Sequence, residues 1–229
     1  MTSVPMGLEI SMDDDWYIYW RAPGDAGLPT AFDWKNSVNI ADVKVKWPTP
    51  SRYEFDGMNS FGYNGNVVFP LEIIPQETGK SVILNMAVQM LACNKICVPQ
   101  EIKLSRTLPA NNPASTTEKY IIEKSIKNLP HAEDSDALKM ETAVLGKNTL
   151  AIPLYAVNGI KDDADVMVES DPAIFINRPE LIRDGKDGTR GVLKLSAPEG
   201  TDVPAMLFGK KVTILIKNGD DALEKPFTF

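Results

Sequence analysis

The 229-residue sequence has one histidine, His131, and only two cysteines, Cys93 and Cys97. A zinc site asks for about four thiolate or imidazole ligands, and the lone histidine lies far along the chain from the cysteine pair, so this set does not supply one. Nothing in the sequence supports Ser-His-Asp catalysis, and no glycine-rich phosphate loop precedes a helix. No run of about 18 apolar residues occurs, so nothing in the sequence reads as a membrane-spanning helix. Basic excess is missing as well: 24 Lys and Arg stand against 31 Asp and Glu, a formal net charge of -7. Lysines such as Lys44 and Lys46 are scattered among acids, which argues against a nucleic-acid surface. The opening Met-Thr-Ser-Val-Pro lacks both a basic n-region and an apolar h-region. It is expected to belong either to a cytosolic chain or to a mature fragment whose targeting segment has been removed.

What remains is a soluble globular composition, with 43% hydrophobic and 24% charged residues, enough chain for one large or two ordinary domains. The aromatic run Trp16-Tyr17-Ile18-Tyr19-Trp20 favours a strand, broken by Pro23-Gly24-Asp25. Val43, Val45 and Trp47 alternate with polar neighbours before Pro48 and Pro50. Residues 52–66 interleave Gly57, Gly62 and Gly65 with Tyr53, Phe55, Phe61 and Tyr63, and read as an aromatic loop outside the core, a candidate lid. Residues 67–74 read as a strand whose Pro70 suggests an edge or a bulge. Residues 81–93 form the clearest strand, with Val82, Leu84, Met86, Val88 and Met90 on one parity, and 98–108 alternate again, so the cysteines fall at a hairpin tip. Ser115-Thr116-Thr117-Glu118 has capping-box spacing ahead of Tyr120, Ile121 and Leu129, the one helix expected. From His131 onward short strands separated by Gly, Asp and Pro suggest a second sandwich. The expected architecture is all-β: two β-sandwich domains, 1–112 and 131–229, joined by a helical linker at 113–130.

With three residues between them at the end of two antiparallel strands, Cys93 and Cys97 can reach disulfide separation. Strand parity puts Cys93 with Asn85 and Gln89, and Cys97 with Glu101 and Lys103, which predicts accessible sulfurs, with Leu91 and Ile83 on the same parity suggesting partial cover by something apolar. A structural bridge across so short a loop is worth only about 2 kcal/mol by chain entropy. Redox exchange, favoured by exposure and by the neighbouring Lys95, stands beside that structural reading and beside a metal reading. Soft Cu(I) could take the two thiolates with Met90 or Met58, although Met86 and Met90 sit at core parity. His131 reads as a linker-surface residue.

The run from Trp16 to Pro29, then Asp33-Trp34, Trp47-Pro48, Phe61-Gly62-Tyr63 and residues 93–99, together resemble the N-terminal periplasmic region of the DsbD/ScsB transmembrane thiol-disulfide reductases. The likeness is closer to the ScsB branch, linked to suppression of copper sensitivity. It implies immunoglobulin-like sandwiches and a periplasmic location, as a soluble piece of an inner-membrane protein. It also implies a protein-disulfide reductase activity that needs no organic cofactor and no metal. Electrons would come from the membrane and thioredoxin-like parts of the parent protein and pass to thioredoxin-like periplasmic partners. Cys97 would be the nucleophile and Cys93 its resolving partner. Glu54-Phe55-Asp56-Gly57 is similar to the family's cap loop, which makes Phe55 the shield of the pair, with Glu54 beside it and Tyr63 a neighbour. DsbD itself has a longer insert between its cysteines, and an acid where this chain has Tyr53.

Overall fold

The computed structural model describes residues 3–55, 57–110, 116–170, 179–184, 187–197 and 199–229, without the side chains of Phe55 and Thr116. The chain forms two compact units, one ending at Leu129 and the other beginning at Pro130.

The first unit runs β1 (Val4–Ser11), β2 (Tyr17–Gly24), β3 (Ala31–Asp33), β4 (Ile40–Val45), β5 (Ser51–Phe55), β6 (Met58–Asn64), β7 (Asn66–Pro75), β8 (Val82–Cys93), β9 (Cys97–Leu108) and α1 (Thr116–Lys127). One sheet has the order β1-β7-β4; the other has the order β3-β8-β2-β6-β5, with β9 also paired to β8. Alternation decides which side chains point inward. Val82, Leu84, Met86, Val88 and Met90 of β8 are buried, as are Ile18 and Trp20 of β2 and Phe61 and Tyr63 of β6. From the opposite sheet, β7 contributes Val67, Phe69, Leu71 and Ile73. The Phe69 ring joins the two layers, meeting Phe32, Trp47 and Tyr63 edge-to-face at centroid distances of 5.6, 5.4 and 5.3 Å.

Two expectations are corrected here. Residues 52–66 are not an aromatic loop: β5 and β6 pair as an antiparallel hairpin, and Phe61 and Tyr63 belong to the core. The glycine that suggested a loop, Gly62, answers a packing demand, since a Cβ there would lie 2.0 Å from the Ile18 carbonyl oxygen of β2. Nor is Pro70 at a sheet edge, because β7 is the central strand of its sheet. Its carbonyl accepts the Lys46 N–H at 2.8 Å, so its polar groups face the β4 side. The missing N–H therefore falls just past Val45, where β4 has ended.

The helix expected near residue 116 is α1, with Glu118 in its first turn and Lys124 and Lys127 in its last, the charge order a helix dipole favours. Ser115, the first residue of the expected capping box, lies outside the described residues. The helix packs on β1 and β7 of the first unit, and Asn128 accepts the Thr49 N–H at 3.0 Å.

The second unit runs β10 (Leu138–Met140), β11 (Val144–Leu145), β12 (Thr149–Ala156), β13 (Asp165–Glu169), β14 (Glu180–Asp184), β15 (Arg190–Ser196), α2 (Val203–Leu207), β16 (Lys211–Asn218) and β17 (Asp221–Thr228). A sheet of order β10-β12-β15-β14, with β11 on β12, faces a sheet of order β13-β16-β17. Leu150, Ile152, Leu193 and Leu195 from the first meet Val166, Val212, Ile214 and Ile216 from the second in one core. The short α2 was not expected; Asp202 caps it by accepting the Ala205 N–H at 3.1 Å, while Val203 and Leu207 are buried. Both units are thus all-β sandwiches of immunoglobulin-like kind. Among the described residues no helix is long and apolar enough to cross a membrane.

Since Phe69 touches aromatic rings from both layers, Phe69→Ala is expected to cost the first unit about 3–5 kcal/mol. All four tryptophans, Trp16, Trp20, Trp34 and Trp47, lie in that unit. Urea unfolding followed by tryptophan fluorescence therefore reads it directly, and an unchanged midpoint would refute the assignment of Phe69 to the core centre.

Candidate redox site

β8 and β9 pair without interruption from Val82↔Leu108 to Cys93↔Cys97. The three-residue turn closes with the Asn94 N–H donating to the Ile96 carbonyl at 2.9 Å. Cys93 and Cys97 thereby face each other across the last rung, Cα atoms 4.1 Å apart, and are joined as a disulfide. The hairpin tip expected from the alternation of both strands is present.

The two sulfurs have unequal surroundings. Cys97 is exposed, as are Lys95 and Ile96 in the turn, whereas Cys93 is 0% exposed. The expectation of two accessible sulfurs fails for Cys93, and the reason is tertiary. Parity assigns it to the outer face of the sheet correctly: its partner on β2 is Tyr17, while the neighbouring Ala92 pairs with Ile18, a core residue. That outer face is covered at this end. Tyr19, on the same parity as Tyr17 and only 3% exposed, donates its hydroxyl proton to Cys93 Sγ at 3.3 Å.

The segment between β2 and β3 packs on Tyr19 in turn. Thr30 Oγ1 donates to the Tyr19 carbonyl at 2.7 Å, and Ser60 Oγ donates to the Ala26 carbonyl at 3.3 Å. Gly27 lies against the Tyr19 ring with φ +102°, and a Cβ there would come within 2.2 Å of a ring carbon. Glycine meets both demands at once.

The tyrosines form a chain. The Tyr17 and Tyr19 hydroxyls lie 3.4 Å apart, and the Tyr17 ring meets Tyr19 edge-on at 5.4 Å and stacks on Tyr53 of β5 at 4.6 Å, 9° from parallel. Because Tyr19 has one proton and gives it to sulfur, the Tyr17 hydroxyl is the donor in the pair. Burial pushes the Tyr19 phenol well above its ordinary value. Burial also pushes Tyr53 up to about 12, with Tyr17 adding to it.

Of the cap residues expected from the sequence, Glu54 is exposed in β5 and pairs with Asn59. Phe55 pairs with Met58 through its backbone, and its side chain lies outside the described residues. Tyr63 is not brought to the cysteines. Its register partner is Ile18, so it belongs to the core face of the sheet, where its hydroxyl donates to the Pro48 carbonyl at 2.8 Å. The hairpin is held from another side: Asp25 Oδ2 accepts the Asn59 N–H at 2.8 Å, and Arg52 donates to Asn59 Oδ1 at 2.9 Å. Sequence reading did not single out Tyr17, Tyr19 and Tyr53 as site residues. Two tyrosines at alternate positions opposite Ile18 and Trp20 were a legible sign of a polar aromatic face, but their register with Cys93 was not. Among the described residues no group of three or more His, Cys, Asp and Glu is arranged to hold a metal ion.

The site is thus a disulfide at a hairpin tip of a sandwich, with one sulfur open and the other enclosed. Residues 2–109 match the family model described as "Thiol:disulfide interchange protein DsbD, N-terminal". No curated protein sequence matches significantly. Over 99% of its length the chain superposes, with a TM-score of 0.78 and 19% identity, on 87% of the crystal structure of the N-terminal periplasmic domain of ScsB from Proteus mirabilis. That likeness extends the shared fold through the second unit.

The folded first unit favours the neutral Tyr53 phenol, because its pKa is raised from 10.0 to about 12. This contribution to stability is whole below the unfolded value and is lost as pH rises through the folded one. The urea midpoint of the first unit is expected to fall across that window, and to fall less in Tyr53→Phe. Identical profiles for the two proteins would contradict it.

Proposed function

We propose that the chain is a periplasmic protein-disulfide reductase module that takes electrons from the membrane and thioredoxin-like parts of a parent protein and passes them to thioredoxin-like periplasmic partners. The observation that carries this reading is the unequal burial of the bonded sulfurs, Cys97 exposed and Cys93 enclosed, in a unit that matches the DsbD N-terminal family model. Exchange runs by attack of a thiolate along the S–S axis through a mixed disulfide. A protein partner can approach the exposed sulfur, so Cys97 forms the intermolecular bond and Cys93 resolves it. No organic cofactor or metal is needed for that step.

A structural role would give the bond a small return, about 2 kcal/mol for so short a loop, in a unit that already has a full aromatic core. The β5–β6 hairpin is the cap, with Glu54 and Phe55 near its tip shielding the pair and Tyr63 anchoring its base in the core. The division into a redox domain at 1–112, a helical linker at 113–130 and a second sandwich at 131–229 leaves the last as scaffold or docking surface.

Trapping separates the roles of the cysteines. Cys93→Ser is expected to accumulate a mixed disulfide with a thioredoxin-like partner through Cys97, while Cys97→Ser accumulates none; the reverse pattern would transfer the nucleophile to Cys93. Phe55→Ala is expected to speed alkylation of the reduced pair several-fold by removing its shield, as access controls thiol reactivity. An unchanged rate would take Phe55 out of the mechanism.

A further inference from the structure

We infer that Tyr19 is a catalytic residue of the exchange reaction: its hydroxyl holds the negative charge that appears on Cys93 Sγ when a thiolate attacks Cys97, and Tyr17 positions it for that task. The inference rests on the proposed exchange function and concerns the half of the disulfide that no partner touches.

The chemistry poses a specific difficulty at Cys93. An incoming thiolate forms a bond to Cys97 Sγ; the Cys93–Cys97 bond breaks, and its electron pair leaves on Cys93 Sγ. The leaving sulfur therefore becomes an anion at a position that is 0% exposed. Burial without a partner raises the free energy of a thiolate, and a thiol of high pKa is a slow leaving group. Water cannot solvate the charge there, so a fixed donor must.

Tyr19 meets that requirement by geometry. Its hydroxyl already donates to Cys93 Sγ at 3.3 Å in the oxidised protein, so no rearrangement is needed when charge develops. Its ring lies against Gly27 and meets the Tyr17 ring edge-on, and the Thr30 bond to its carbonyl holds the backbone beneath it. The Tyr17 hydroxyl, 3.4 Å away, donates to the Tyr19 oxygen, and a donor that is itself an acceptor gives a stronger hydrogen bond. The stack of Tyr17 on Tyr53 fixes that second hydroxyl in turn. Burial keeps the Tyr19 phenol protonated, so it acts as a permanent donor and does not transfer its proton. In the resolving step the same bond holds the Cys93 thiolate facing Cys97 until it attacks and expels the partner's sulfur.

The test uses the full chain and dithiothreitol as the attacking thiol. One thiolate of the reagent opens the disulfide, its second sulfur then displaces Cys97, and the reagent leaves as a cyclic disulfide with the protein pair reduced. Tyr19→Phe keeps the ring that packs on Gly27 and removes only the donor. Reduction is expected to slow about tenfold in Tyr19→Phe, the loss of one hydrogen bond to a charged group, and by a smaller factor in Tyr17→Phe. A second measurement separates chemistry from access: alkylation of Cys97 by iodoacetamide, in a Cys93→Ala background, should run at the same rate with and without the Tyr19 hydroxyl.

Wild-type rates of reduction in Tyr19→Phe would overturn the inference while leaving the exchange function standing. Loss of both rates together would also overturn it, by making Tyr19 a merely structural residue. A wild-type disulfide that resists dithiothreitol in the folded protein would overturn the exchange function and this inference with it. Should Tyr19→Phe not fold, Tyr17→Phe decides alone, since an unchanged reduction rate there refutes the relay.

Discussion

The pairing of β2 with β8 is the constraint on which the site depends. Tyr17 stands opposite Cys93 and Ile18 opposite Ala92, and in a strand of period two this single register assigns every side chain of the run 16–20 to a face. Ile18 and Trp20 fall inward and are 0% exposed, while Tyr17 and Tyr19 fall outward beside the cysteines. A slip of one residue would put tyrosine hydroxyls in an aromatic core and a tryptophan over the disulfide. The close approach of Gly62 to the Ile18 carbonyl secures the other flank of β2, so the register is clamped from both neighbouring strands.

From that register follows the asymmetry that gives the bond its chemistry. An outer sheet face would ordinarily leave both sulfurs in water. Here the segment after β2 folds back on the face, tied through Thr30, Ala26 and Asp25, and lies against Tyr19, whose hydroxyl meets Cys93, while Cys97 stays exposed. The result is a disulfide with unequal sulfurs: Cys97 is exposed, and Cys93 is enclosed with the Tyr19 hydroxyl donating to it. The hairpin opposite, β5–β6, belongs to the same construction, since Tyr53 reaches from it to stack on Tyr17.

How much of this could be read from the chain varies with the range of the interaction. The β8–β9 hairpin, the core parity of Val82 to Met90, and α1 depend on local periodicity and were all legible. Family motifs around Trp16 to Pro29 and Cys93 pointed to the DsbD type, and the match of residues 2–109 agrees with them. Errors arose where a residue's local preference was answered by a distant neighbour. Gly62 reads as loop but serves the approach of another strand; Pro70 reads as edge but loses its N–H where β4 has already ended. α2 was missed because its short Asp-Val-Pro-Ala-Met-Leu run holds too few turns to show a period.

By itself, then, the chain determined that two cysteines would meet at a hairpin tip, and on the face of β8 opposite its core residues, because strand alternation and a three-residue spacing are properties of neighbouring residues. Whether that face was open to water was decided only in three dimensions. The enclosed Cys93 is met by Tyr19, 74 residues earlier, and Tyr19 is in turn packed by a segment whose ties run to β2 and β6. Such contacts have no signature in local pattern, since they exist only once both sheets have formed and their registers are set.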